Sequence, residues 1–361
     1  MMNQCLLHSS LTACLTLAAG TTCAQSNVTL YGVMDAGLYQ KQLAGGSRDR
    51  QVESNLMETS QLGFRGTEDL GGGWRGLFDL STFFRPDLGA ATRGIPGETF
   101  WSKSALVGVA GDWGTLRLGR MSTPGFLNMI RFNPFGASSS LSPTFLQTYV
   151  GSPTQPMTTG SGATDSGWNG SVAYTSPRLA GLVAALQVTD NKSNGGRRIG
   201  GSLSYSAGDL AATLSVEHVQ DAALTFPLWD TALAGAVPPY TAHDLKTWNL
   251  GASYDFGVVK LFGQAIDTRM AGLRAGRSQD IELKTYQLGL SAPMGSGRWL
   301  LSSARTGMQR AGAQDLHRTT TSLGYGHDLS KRTDLYAVVM DDRMTELSSG
   351  TGFALGIRHR F

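Results

Sequence analysis

The stretch TWNLGASYDF, residues 247–256, decides how this chain is read. Trp248, Leu250, Ala252, Tyr254 and Phe256 fall on one side of an extended segment; Thr247, Asn249, Gly251, Ser253 and Asp255 fall on the other. Successive side chains of a strand point to opposite faces, so this is a strand with one apolar and one polar surface. In water the apolar face would need a packed core. In a membrane barrel it faces lipid, and the polar face lines a lumen.

The alternation recurs along the chain. Leu62 and Phe64 oppose Gln61, Gly63 and Arg65, and Trp74, Gly76, Phe78 and Leu80 oppose Arg75, Leu77, Asp79 and Ser81. Leu116 and Leu118 flank Arg117, and at the end Phe353, Leu355, Ile357, His359 and Phe361 oppose Ala354, Gly356, Arg358 and Arg360. Seven short turn signals separate such runs, at residues 68–72, 110–112, 176–178, 206–209, 255–257, 293–296 and 328–331. Longer polar or Gly/Pro-rich stretches lie near residues 41–53, 86–97, 121–165, 191–196, 221–242, 270–278, 311–313 and 345–349. Seven turns and eight loops join sixteen strands, with short turns on one rim and long loops on the other. The expected fold is all-β: a transmembrane, sixteen-stranded antiparallel β-barrel. Sixteen strands enclose an aqueous channel, whereas eight are filled by side chains. Between Ile281 and Leu290 the apolar parity switches near Thr285, which predicts a bulge or a strand rising out of the membrane. Residues 299–306 and 335–340 do not assign to one face.

Composition narrows the function. The net charge of +3 is too small to point to nucleic acid. Residues 1–24 read as a secretory signal peptide, with an apolar run from Leu11 to Gly20 and Thr22-Cys23-Ala24 before the cut. All three cysteines, Cys5, Cys14 and Cys23, lie in that leader, so residues 25–361 have no disulfide, thiolate metal site or cysteine nucleophile. No later window holds 18 consecutive apolar residues, the length of a spanning helix. Gly71-Gly72-Gly73-Trp74-Arg75-Gly76 matches G-x-G-x-x-G, but the residues after it alternate as a strand rather than opening a helix. The histidines show no metal-ligand spacing, and Asp341-Asp342 reads as a solvated loop face. No cofactor, metal or catalytic residue is expected.

Four stretches, in order, resemble the general porins of Gram-negative bacteria, of the type common in β-proteobacteria. They are Val28-Thr29-Leu30-Tyr31-Gly32 with Asp35-Ala36-Gly37, then Leu62-Gly63-Phe64-Arg65-Gly66-Thr67-Glu68-Asp69-Leu70-Gly71, then Val107-Gly108-Val109 through Gly111-Asp112-Trp113-Gly114-Thr115 and Leu118-Gly119-Arg120, and finally residues 351–361. The resemblance implies a homotrimer in the outer membrane, bounded by lipid and lipopolysaccharide, with its third loop folded into the pore. It implies that Phe361 is the signal read by the barrel-assembly machinery. By position the third loop is residues 121–165. In many family members this loop carries acids facing a ladder of arginines. Here residues 121–164 hold no Asp or Glu, and Arg131 is their only charge. Lys103, Gln61 and Gly167 stand where the family often has arginine.

The expected pore lining is therefore cationic. Arg65, Arg75, Lys103 and Arg117 point inward by parity, Arg131 sits in the loop, and Asp35 and Asp79 partly offset them. Such a lining gives mild anion preference to a channel that passes ions and small hydrophilic solutes by diffusion. Besides a soluble β-sandwich, two alternatives remain. One is a substrate-selective channel of the same fold, for a dicarboxylate or an aromatic acid, to which Phe126, Phe132, Phe135 and Phe145 of the loop point. The other is an outer-membrane adhesin or barrel enzyme.

Overall fold

Lipid offers no partner to a backbone N–H or C=O, so a membrane sheet must satisfy every one internally by closing on itself. The computed structural model describes residues 27–94, 98–149, 166–190, 195–226, 240–310 and 315–361. The signal-peptide expectation and its cysteines lie outside these residues. The strands are β1 (Asn27–Lys41), β2 (Asp49–Ser54), β3 (Gln61–Gly71), β4 (Trp74–Phe83), β5 (Ser104–Gly111), β6 (Gly114–Ser122), β7 (Gly167–Thr175), β8 (Leu182–Thr189) and β9 (Arg197–Ala207). They continue as β10 (Leu210–Phe226), β11 (Tyr240–Asp255), β12 (Lys260–Arg274), β13 (Arg277–Met294), β14 (Gly297–Arg310), β15 (Leu316–Asp328), β16 (Thr333–Met344) and β17 (Gly350–Arg360). Two helices, α1 (Pro124–Arg131) and α2 (Pro143–Thr148), stand between β6 and β7.

All pairings are antiparallel, and β1 pairs with β17 from Val33–Arg360 to Gln40–Phe353, which closes the sheet. Gly32 and the terminal Phe361 exchange both backbone hydrogen bonds, at 3.0 and 3.1 Å. β2 and β3 pair with the two halves of β1, so they form one interrupted stave and the barrel has sixteen. The gap between them is filled by a carboxylate. Asp35 is fully buried and accepts from the backbone N–H of Leu56, Met57 and Glu58 at 2.9–3.1 Å and from the Tyr336 hydroxyl at 2.8 Å. It thereby replaces ladder hydrogen bonds that the break removes.

The seven short connections stand where the turn signals placed them. Gly71-Gly72-Gly73, each at positive φ, is one of these turns and leads into β4, a strand and not the helix of a nucleotide loop. The other rim differs from expectation at residues 270–278. There β12 and β13 continue almost to the tip and are joined only by Ala275-Gly276, at φ 50° and 76°. Two residues at positive φ match the twist of a tight hairpin, and above the membrane a strand needs no apolar face to persist.

The parity switch has the same origin. No bulge interrupts β13, whose register with β12 and β14 is unbroken. Below Thr285 the apolar residues point outward, as Tyr286 and Leu288 do, both strongly exposed. Above it Ile281 and Leu283 point inward and join Leu245, Met270, Met308 and Leu316 in a buried cluster. Outward there stand Glu282 and Lys284, 3.0 Å apart, with Arg269. The strand has left the membrane, and its hydrophobic face has turned from lipid to a small core. Residues 299–306 resist for a related reason: Ser303 and Arg305 share the outward face with Trp299 and Leu301. Near the short-turn rim aromatic rings collect outside, with Trp74 5.6 Å from Trp113, Trp113 stacked on Tyr174, and Trp299 5.0 Å from Tyr325. This is the girdle expected where lipid headgroups meet water.

Asp341 and Asp342 are not a shared acidic face, contrary to the sequence reading, because adjacent strand residues point opposite ways. Asp341 lies outward, 2.7 Å from Arg343. Asp342 is fully buried, 2.9 Å from a guanidinium, Arg318, that is 1% exposed. Asp342 also accepts from Thr320 at 2.7 Å and from the Ala44 N–H at 3.0 Å, tying the first loop to the wall. Removing one partner of a buried pair strands the other charge, at a cost of about 3–5 kcal/mol. Arg318→Ala is therefore expected to lower the thermal unfolding midpoint of the purified barrel in detergent, whereas Arg343→Ala, at an exposed pair, leaves it nearly unchanged. Equal midpoints for the two variants would contradict this assignment.

Candidate functional site

Thr-Pro and Ser-Pro open the two helices of the third loop. Thr123 caps α1 by accepting from the Phe126 N–H at 3.2 Å, and Ser142 caps α2 through the Phe145 N–H at 3.2 Å, each with proline at the first helical position. The loop then lies along the inner wall. The Gly125 N–H donates to Glu217 of β10 at 2.6 Å. Asn128 donates to the Asn249 carbonyl at 2.7 Å, and Gln264 to the Met129 carbonyl at 3.0 Å. A Cβ on Gly251 would overlap the Phe132 ring, so this glycine lets the loop approach the strand. Farther on, Ser322 donates to the Leu141 carbonyl at 2.7 Å, and Gln147 bonds Ala304, Thr306 and Thr320 at 2.7–3.1 Å. Tyr39 of β1 donates to the Ser140 carbonyl at 3.3 Å, and Ser138 bonds the Leu56 carbonyl. The loop thus runs across β9 to β15 and back to β1.

The wall beneath it is neutral and polar. Ser215, Asn249, Gln264, Gln287, Ser302, Thr320 and Ser322 are all buried there. Hydroxyls and amides can bond loop backbone without the desolvation cost of burying charge. The acid-free sequence of residues 121–149 suits this surface. Glu217 is the exception, a buried carboxylate at the N-terminus of α1, where negative charge is favoured.

The loop leaves the Asn27–Val33 half of β1 and β3 to β6 bare, and cations gather on that side and at the end of α1. Arg65 lies 5.0 Å and Lys103 5.7 Å from the centroid of the Tyr31 ring. Asp79 faces Arg65 across the strand pair, yet its oxygens accept from Tyr31 at 2.7 Å and Ser81 at 2.9 Å. Arg117 donates to Thr175 at 3.2 Å. Arg131, the last residue of α1, donates to Ser206 at 2.7 Å and Thr213 at 3.4 Å. Among the described residues, none of these four cations forms an ion pair. Lys103 departs from simple parity. It precedes β5, whose inward residues are Ser104 and Leu106, and irregular backbone rather than strand alternation carries it inside.

The remaining expected positions are spread out. Arg75 faces inward near the short-turn rim and is exposed; Gln61 is half-buried opposite Val33. Asp35 points inward but has no lumen surface, because the stave gap takes up its oxygens. Arg358 and Arg360 do face the lumen, where Glu58 and Asp334 neutralise them at 3.0–3.3 Å. Residues 150–165 of the expected loop lie outside the described residues. Sequence reading missed Glu217 and the Glu58–Asp334 partnership. Glu217 was legible as an inward position two residues beyond Ser215, but nothing in the sequence pairs it with α1. No group of three metal-ligating side chains occurs among the described residues.

A closed barrel with an apolar outer band, a polar lumen and a loop folded inside it defines a transmembrane channel. The chain belongs to the Gram-negative porin family, whose sequence model matches residues 11–346. It is 32% identical to outer membrane porin protein 32 of Delftia acidovorans, over 98% of this chain and all of that one. It is 26% identical to an outer membrane porin of Bordetella pertussis, over 95% and 96% of the two chains. Among solved structures, an anion-selective porin from Comamonas acidovorans superposes with a TM-score of 0.74 at 29% identity, covering 93% of this chain and all of that one. The chain is thus an outer-membrane channel for small solutes.

If Glu217 anchors the loop, Glu217→Ala removes a charge-assisted hydrogen bond of about 1.5–3 kcal/mol from its docking. Single-channel recordings should then show more open-channel noise and closure at lower voltage. Traces matching the wild type would show that the neutral contacts hold α1 alone.

Proposed function

We propose that the channel passes ions and small hydrophilic solutes by diffusion, without covalent chemistry, and that it prefers anions. The observation that carries this is the charge balance on the bare side of the lumen. Among the described residues, Arg65, Lys103 and Arg117 there, and Arg131 at the end of α1, have no ion-pair partner, and the carboxylate of Asp79 offsets one of these charges. Glu58 and Asp334 are already balanced by Arg358 and Arg360. Fixed Arg and Lys charges favour anions in a narrow pore, and screening over ~8 Å confines the effect to the part the loop constricts. The similar barrel from Comamonas acidovorans is an anion-selective porin, which supports the same reading.

The family resemblance extends the proposal to three copies per assembly, which three equal conductance steps would register. It also extends it to Phe361 as the assembly signal. That side chain lies outward beside His359 while its backbone closes the barrel.

Reversal potentials across a KCl gradient test the role of these charges. Chloride should be favoured. Arg65→Gln or Lys103→Gln should cut the anion-to-cation permeability ratio by about twofold to fivefold, since one charge is worth at most ~1 kcal/mol in a water-filled path. Burial holds the Lys103 ammonium below the usual lysine range, against the opposing pull of Asp79 and Glu58. Rising pH removes its positive charge, so the ratio should fall on the alkaline side before a free lysine would titrate. Lys103→Gln should lack that step. Cation preference in the wild type overturns the proposal.

A further inference from the structure

Ion flow through the lumen leaves one feature without a use. Between α1 and the inner faces of β5 to β10 lies a side recess of about 440 Å³, within the ~300–1,000 Å³ of small-molecule sites. Much of its lining is hydrocarbon, from Leu106, Val183 and Leu127. Leu127 is 50% exposed in a loop whose other apolar side chains are largely packed away. Two guanidiniums line the same space, Arg117 from β6 and Arg131 from the end of α1. They donate to the hydroxyls of Thr175, Ser206 and Thr213, which leaves each with N–H donors for a ligand.

A small inorganic anion gains nothing from the hydrocarbon, and a neutral sugar gains no charge attraction from the cations and buries little on the hydrocarbon. A carboxylate with an apolar body is served by both. Arginine is suited to it, because its planar fork matches a carboxylate in two parallel hydrogen bonds. We propose that the recess binds apolar-bodied monocarboxylates, medium-chain or aromatic, with the carboxylate on Arg117 and Arg131 and the hydrocarbon against Leu127 and Val183. This rests on the anion-channel reading and names a substrate class for it. Solutes of this kind would dwell beside the pore and enrich there before passing through.

The test uses the full-length protein in planar bilayers, with chloride current recorded as acetate, hexanoate, benzoate or succinate is added. Hexanoate and benzoate should reduce the current saturably. Acetate, which lacks the apolar body, and succinate, which has a second charge in its place, should need about tenfold higher concentration. Arg131→Gln should weaken hexanoate block about tenfold relative to its own unblocked current. Leu127→Ser, at an exposed position, should weaken it about three- to tenfold. Equal block by acetate, stronger block by succinate, or block unchanged in both variants overturns the proposal. The reversal potential in the same bilayers separates the two readings. Anion preference without hexanoate block removes the recess alone, and cation preference removes both.

Discussion

Closure of the hydrogen-bond ladder is the constraint on which everything else in this barrel depends. Lipid tolerates no open edge, so the first and last strands must meet, and they do so down to the terminal residue, where Gly32 and Phe361 exchange both bonds. Even the stave that breaks between β2 and β3 stays satisfied, because Asp35 accepts the N–H groups the gap releases. With the wall complete, the inner surface is free to vary, and its chemistry divides in two.

One part carries the loop and is almost free of charge. The other is bare and cationic. These are two sides of one physical requirement. A loop pressed against a wall in low dielectric is held best by hydroxyls and amides, since buried ions cost several kcal/mol each unless paired. Charges that act on solutes must instead stay wet. The Asn128, Gln147 and Gln264 contacts satisfy the first need, and the exposed Arg65 over Tyr31 the second.

The barrel was legible because alternation with period two is a local signal, repeated strand by strand, and the seven turns carry their own residues. The strand number followed from counting them. What the sequence hid was non-local or outside the membrane. Parity assigns a face to Arg65, Asp79 and Arg117 because they lie within strands, whereas Lys103 stands before β5 and enters on irregular backbone that alternation does not govern. Nor can it tell a lumen carboxylate from Asp35, which points inward and is engaged by backbone. The switch at Thr285 looked like irregularity only because the surroundings change along a regular strand. Asp341 and Asp342 are neighbours in sequence with opposite fates, and only their partners Arg343 and Arg318 distinguish them.

The one-sided lining also decides what kind of force a passing molecule feels. Opposed rows of acids and bases make a transverse dipole field, which exerts torque on polar but uncharged solutes and sorts them by orientation. Here the described part of the loop has no carboxylate to face the cations, so the pore acts more nearly as a monopole. On the proposed reading it sorts by net charge and turns neutral solutes only weakly. Such a channel would be electrically indifferent to sugars while remaining selective among ions.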